Sequence, residues 1–168
     1  MECLQINRIV AFNTLKTDMK DLKDLKIAIC SDHAGFELKG MVIEKLKNSG
    51  AEVKDFGTDS AESCDYPDYA HPMANAVETG ECDFGVAICG SGNGISMTAN
   101  KHQGIRCALC WDVPLAHLAR QHNDANVLSM PARFISVEKA FQIVDEFFST
   151  DFEGGRHIRR IEKIPVHK

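Results

Sequence analysis

A chain of 168 residues with 44% hydrophobic content is long enough to bury one substantial core and too short to need a second. Its formal net charge of -5 argues against a nucleic-acid surface, and no apolar run approaches the roughly 20 residues that span a bilayer. Seven cysteines, an odd number with no secretory leader legible ahead of them, point to reduced thiols in a cytoplasm rather than to a disulfide framework.

Residues 1–24 carry little pattern. Their apolar run Ile9-Val-Ala-Phe12 is too short for a signal-peptide core, and Glu2 and Asp18 fit a transit peptide poorly. They read as an N-terminal extension of unknown role, or as a leader to translation from Met19, with residues 25–168 as a single domain. Ile27-Ala-Ile-Cys30 is a short apolar run bounded by charge, the pattern of a strand buried on both faces, and Ser31-Asp-His-Ala-Gly35 turns the chain at its carboxyl end. The segment 36–49 sets Leu38, Met41, Val42 and Leu46 on one helical stripe, and Gly50 closes it. A second strand covers 52–56, and a polar loop at 57–67 is placed to border a pocket. A helix follows at 68–78, with Met73, Ala74 and Val77 inward and Gly80 ending it.

Phe84-Gly-Val-Ala-Ile-Cys89 is a third strand. It runs into Gly90-Ser-Gly-Asn-Gly94 and then a short helix at 95–101. Glycine leaves backbone N–H groups uncovered and permits positive φ, so successive amides can converge on an oxyanion in front of a helix. Cys89 stands at the edge of that cradle, where N–H donors and the helix field favour thiolate chemistry.

Residues 104–111 give a fourth buried-strand pattern. Asp112 then caps a helix with Pro114 in its first turn, running to about Gln121 and followed by His122-Asn123-Asp124. A fifth strand covers 126–130, and a helix at 136–148 points Ala140, Phe141, Val144 and Phe147 or Phe148 inward. The end, 154–163, reads as a glycine hinge and a helix. Strands alternating with helices imply an α/β fold, an open parallel sheet with helices on both faces and right-handed crossovers. Ligands bind such sheets beyond the carboxyl ends of the strands, where Asp32, His33 and Cys89 lie.

Several of these residues also have a bland reading. Cys30, Cys107 and Cys110 read as core thiols. Cys107 and Cys110 form C-x-x-C, but three apart on a strand they face opposite ways, and no second pair stands at metal-ligand spacing, so no metal is expected. The glycine loop is close to a dinucleotide fingerprint with Asp112 downstream, yet Ile95 occupies the place of its third glycine. Asp32-His33 and His122-Asn123 are weak signals singly; with Cys89 they supply an acid, a base and hydrogen-bond partners. Arg156 and Arg160, four apart, share a helical face, as a solvated basic turn or as a phosphate clamp.

Ser31-Asp-His-Ala-Gly-Phe36, Asp65-Tyr-Pro-Asp-Tyr-Ala70, Ile88-Cys-Gly-Ser-Gly-Asn-Gly-Ile95, Ala99-Asn-Lys101, Gly104-Ile-Arg106, Arg120-Gln-His-Asn-Asp124 and Glu153-Gly-Gly-Arg-His157 follow one another in this order. Over 26–164 the chain thereby resembles the type B ribose-5-phosphate isomerases and their relatives, the galactose-6-phosphate isomerase subunits. The resemblance implies a three-layer Rossmann-like fold with five parallel strands, no metal or other cofactor, and a homodimer or tetramer with its pocket between subunits. It makes Cys89 the base that shuttles a proton between C1 and C2, and His122 the acid for ring opening, assisted by Asp32. Backbone amides of Gly90, Gly92, Asn93 and Gly94, with the Ser91 hydroxyl, would stabilise the enediolate. Arg133, Arg156 and Arg160, with His33, would hold the phosphate, and Tyr66 and Asn123 would contact sugar hydroxyls.

The implied activity is the interconversion of ribose 5-phosphate and ribulose 5-phosphate in the non-oxidative pentose phosphate pathway. Allose or galactose 6-phosphate isomerisation is the alternative within the family, and a non-catalytic nucleotide-binding module the alternative outside it. Galactose enzymes split their catalytic residues between two different subunits, whereas this chain carries Cys89, His122 and the arginines together.

Overall fold

The computed structural model describes residues 22–166. Alternation along the central strands decides which side chain meets which helical layer. In β1 (Lys26–Ser31), Ile27 and Ile29 face one way while Ala28 and Cys30 face the other; in β3 (Phe84–Cys89), Val86 and Ile88 oppose Ala87 and Cys89. With β2 (Glu52–Asp55), β4 (Cys107–Leu109) and β5 (Val127–Pro131) they form one parallel sheet in the order β2-β1-β3-β5-β4.

The larger side chains meet α1 (Phe36–Asn48), α4 (Val113–Asn123) and α5 (Val137–Ser149), whose Val42, Leu46, Ala116, Ile143, Val144 and Phe147 complete one core. The small ones meet α2 (Pro67–Glu78) and α3 (Asn93–Ala99), through Ala70, Met73, Ala74, Val77 and Ile95. The resulting three-layer α/β fold is the expected one. From β1 the chain crosses outward to β2 on one side and, by way of α2, to β3 on the other, so the strand order reverses between β1 and β3. A crevice opens there beyond the carboxyl ends of both strands.

Several details differ from the sequence reading. Met41 is 41% exposed, because α1 needs only Leu38, Val42 and Leu46, with the stem of Lys39, to cover its side of the sheet. The fourth strand is a three-residue, half-buried edge, not a long buried strand, and the Asn100 side chain covers its outer side, Oδ1 accepting from Cys107 N and Nδ2 donating to Cys107 O, each at 2.8 Å. His122 and Asn123 form the last turn of α4 instead of following it. The carboxy-terminal helix is a 3-10 turn at Gly155–His157 and a single α turn, α6 (Ile158–Ile161). Leu22, assigned by sequence to the extension, is fully buried beside α1 and donates its N–H to Ser49 O at 3.2 Å. Met19 and the rest of the extension lie outside the described residues. No helix among the described residues is long and apolar enough to cross a membrane.

The small side chains between the sheet and α2/α3 set how closely that layer approaches. Ala87→Leu is expected to overpack it and to lower unfolding free energy by about 1–3 kcal/mol, read from urea titrations.

Candidate active site

At the strand reversal, a cavity of about 350 Å³ is lined by Asp32, His33, Ala34, Tyr66, Cys89, Gly90, Ser91, Gly94, Arg133 and Phe134. Eight of these are residues singled out by sequence, brought together from β1, the loop before α2, the β3–α3 turn and the segment after β5. Phe134, 74% exposed, was missed. Its only signal was an aromatic side chain in a polar turn just past a strand.

Two backbone devices hold the turn. Gly92 has φ of 74°, the left-handed region, so the chain doubles back and its N–H donates to Cys89 Sγ at 3.1 Å. At Gly94 a Cβ would stand 2.6 Å from Tyr66 Cζ, so glycine lets the Tyr66 ring lie against the first turn of α3. Asn93 and Gly94 therefore begin the helix, where the sequence placed them in a loop. Asn93 itself lines a neighbouring apolar hollow with Leu109, Trp111 and Phe134. Cys89 is only 4% exposed and packs on the α2/α3 core, yet it borders the cavity, so one face of the residue is structural and the other open to a ligand.

The Asp32 carboxylate caps the 3-10 turn that follows it, Oδ1 accepting from Ala34 N at 2.9 Å and Gly35 N at 3.1 Å. That turn presents His33, whose Nδ1 accepts from Cys64 N at 3.3 Å. A ring nitrogen that accepts carries no proton, so in neutral His33 the Nε2 atom is the donor. The 57–66 loop is itself pinned: buried Lys39 donates to Asp55 Oδ1 at 2.6 Å, the same oxygen accepts from Gly57 N at 2.9 Å, and Ser31 N donates to Gly57 O at 2.7 Å. Arg133 is placed by its N–H, which donates to Gly90 O at 3.1 Å.

His122, Asn123, Arg156 and Arg160 are not among the residues lining this cavity. They belong to a second group at the carboxyl end of α4, where Glu153 N donates to Gln121 O at 3.0 Å and docks the chain's last segment. The His122 and His157 rings stack there, 4.3 Å apart and within 7° of parallel. Arg156 and Arg160 are exposed, and Arg156 Nε reaches His157 Nε2 at 3.5 Å. Burial, then His122 and Arg156, hold the His157 imidazole below its ordinary value.

His122, Glu153 and His157 bring ligand-type atoms within 4.8 Å of one another. Metal bonds to imidazole lie in the ring plane, and two stacked, nearly parallel rings keep their nitrogen lone pairs in separate planes that do not meet at a common point between them. The arrangement suits packing of one ring on the other better than coordination. The remaining alternative features are occupied too. Asp112 Oδ1 accepts from Val113 N at 2.9 Å and Lys139 Nζ at 2.7 Å, as a helix cap, and burial pushes the Cys107 and Cys110 thiols up to about 12 on opposite faces of the sheet.

Residues 27–164 match the Ribose/Galactose Isomerase family model. Ribose-5-phosphate isomerase B of Escherichia coli K12 is 49% identical over 139 residues, which are 83% of this chain and 93% of that protein. The crystal structure of a ribose 5-phosphate isomerase from Thermotoga maritima superposes with a TM-score of 0.83 at 54% identity, covering 84% of this chain and 98% of that one. Ribose-5-phosphate isomerase B of Mycoplasma genitalium, crystallised with bound ribulose-5-phosphate, is similar at a TM-score of 0.81 and 43% identity, over 84% of this chain and 95% of that one. Sequence motifs, sheet order and these similarities converge, and the chain belongs to the ribose/galactose isomerase family.

Proposed function

We infer that this chain is an enzyme that interconverts ribose 5-phosphate and ribulose 5-phosphate, the activity named for its relatives in Escherichia coli and Mycoplasma genitalium. The observation that carries this reading is the cavity lined together by the Cys89 thiol, Gly90, Ser91 and Gly94 of the turn after β3, and two cationic or donor side chains, His33 and Arg133.

In the forward direction the furanose must open first. An acid, His122, gives a proton to the ring oxygen as the C1–O bond breaks, and a base on the other side, Asp32, takes the proton of the C1 hydroxyl. Cys89 then removes the proton from C2, and the electron pair moves onto the carbonyl oxygen to give the enediolate. Amides among the cavity-lining residues Gly90, Ser91 and Gly94, with the Ser91 hydroxyl, stabilise that charge, while the Gly92 amide is turned to the Cys89 sulfur. A proton passes from the C2 oxygen to the C1 oxygen, and as the Cys89 thiol returns its proton to C1 the C2–O bond becomes the carbonyl, giving the ketose with no net oxidation. Phosphate held by His33 and Arg133 orients the reacting carbons at a distance from the chemistry.

His122, Asn123, Arg156 and Arg160 lie in the second group, so in this reading they act on the cavity of another copy of the chain. Exposed Trp111 and Phe134 beside the cavity mouth favour a covered surface there. The working unit is then a homodimer, or a tetramer of such pairs, with an isomerase domain that takes in residues 25–168 and also Leu22. The six free cysteines among the described residues suit a reducing, cytoplasmic compartment, and the reaction belongs to the non-oxidative pentose phosphate pathway.

Purified protein should turn over ribose 5-phosphate faster than allose 6-phosphate or galactose 6-phosphate; a preference for either hexose phosphate would move the assignment within the family. Cys89→Ala is expected to lower kcat by about 100-fold or more with KM little changed, because general acid-base catalysis supplies factors of that size. Near-normal turnover would remove Cys89 as the base. Mixing Cys89→Ala and His122→Asn proteins, each inactive alone, should restore about a quarter of wild-type activity. Half of the randomly paired dimers are hybrids, and each hybrid holds one intact composite site. No recovery after subunit exchange, verified by mass spectrometry, would show that each chain supplies its own site.

A further inference from the structure

We propose that Asp124 is a positioning residue for His122 and Asn123, acting through a clamp made with Arg106 and Arg120. The proposal rests on the reading of His122 as the ring-opening acid. Asp124 follows the last residue of α4 with φ of 43° and ψ of 47°, the left-handed conformation that ends helices and that glycine adopts most easily. What an aspartate adds there is its carboxylate. Oδ1 accepts from Arg120 Nη1 at 2.7 Å and Oδ2 accepts from Arg106 Nη2 at 3.0 Å, so one arginine from α4 and one from the segment before β4 hold the two oxygens.

The same guanidinium groups finish the helix. Arg106 Nε donates to Asn123 O at 3.1 Å and Asp124 O at 2.9 Å, and Arg120 Nη1 also donates to Ala125 O at 2.7 Å. The carbonyls of Asn123 and Asp124 thus meet fixed donors. Arg120 is anchored in turn, its guanidinium lying 5.1 Å from the Phe84 ring centre and 5.7 Å from that of Phe147, both on the sheet and α5. The His122 ring stacks on His157, and the clamp fixes the backbone of the two residues that follow it.

A clamp of this kind matters for an acid that must reach substrate on a separate chain, since no covalent connection sets its distance. Displacements of about 1 Å from productive geometry can cost up to about 100-fold in rate. A purely structural clamp would weaken every step alike, whereas a positioning clamp weakens only the step that His122 serves.

The two are separable because ribulose 5-phosphate cannot close a furanose through its phosphorylated O5. Exchange of its C1 hydrogen with solvent needs Cys89 but no ring opening. Asp124→Asn keeps a residue that tolerates the left-handed region and removes the charge shared by the two arginines. It should lower kcat on ribose 5-phosphate about tenfold with KM within about twofold, while C1 exchange of ribulose 5-phosphate in D2O, followed by NMR, stays near wild type. His122→Asn should show a split of the same kind with a far larger loss of turnover on ribose 5-phosphate, and Arg106→Gln serves in place of Asp124→Asn if that protein does not fold. If His122→Asn shows the split and the folded clamp variant does not, or loses turnover and exchange in parallel, the positioning role is overturned. If His122→Asn itself keeps full turnover, it is the assignment of His122 as acid that fails.

Discussion

The end of β3 carries the constraint on which the site depends: the strand must deliver a side chain to the crevice and, within three residues, aim an N–H back at it. The left-handed Gly92 satisfies both, closing the 3.1 Å contact from its amide to Cys89 Sγ. Ser129 Oγ, buried on β5, donates to Gly92 O at 2.9 Å and holds the turn from the neighbouring strand. Any other residue at this position would need the strained φ and would also drive a Cβ to 2.3 Å from Leu109 Cδ1. This end of the sheet is therefore fixed by the backbone at Gly92 and by one buried hydroxyl on the neighbouring strand.

That constraint explains which parts of the molecule were legible in sequence. A glycine on every second residue after an apolar run has one main physical use, so the β3 turn and its thiol stood out. Apolar periodicity likewise gave the helices that cover the sheet. It failed at Met41, where the helix stripe is wider than the surface it covers, and at 104–111, where an apolar run serves an edge strand and an exposed Trp111 instead of a buried strand. Asn100 was invisible as an edge cover because its role depends on a strand seven residues ahead.

That the residues expected at the site fall into two groups could not be read from residue order at all. His122 is adjacent in sequence to the helix it ends, and nothing in that helix indicates that its imidazole lies against His157 and away from the cavity holding Cys89. Only the pocket between subunits that the resemblance implied supplied that expectation. The physical counterpart is the set of fastenings at the end of α4, where stacking, guanidinium donors and the docked segment at Glu153 leave His122 little freedom. A residue held so firmly outside its own chain's cavity is better suited to a neighbour's than to a rearrangement bringing it home.

Asp32 and His33 show how structural and chemical duties are divided between adjacent residues. Asp32 Oδ1 is taken up by the Ala34 and Gly35 amides, so the carboxylate holds the turn in place while it borders the cavity. His33 depends on that turn for its direction and on Cys64 N for the nitrogen that carries its proton. Loss of the aspartate would thus disturb the histidine's aim as well as any proton transfer of its own, and the two effects have opposite signatures. In the roles proposed for them, a misaimed His33 would weaken hold on the phosphate and appear in KM, whereas a missing Asp32 base would slow ring opening and appear in kcat. The dipeptide works as a unit because one residue builds the support on which the other acts.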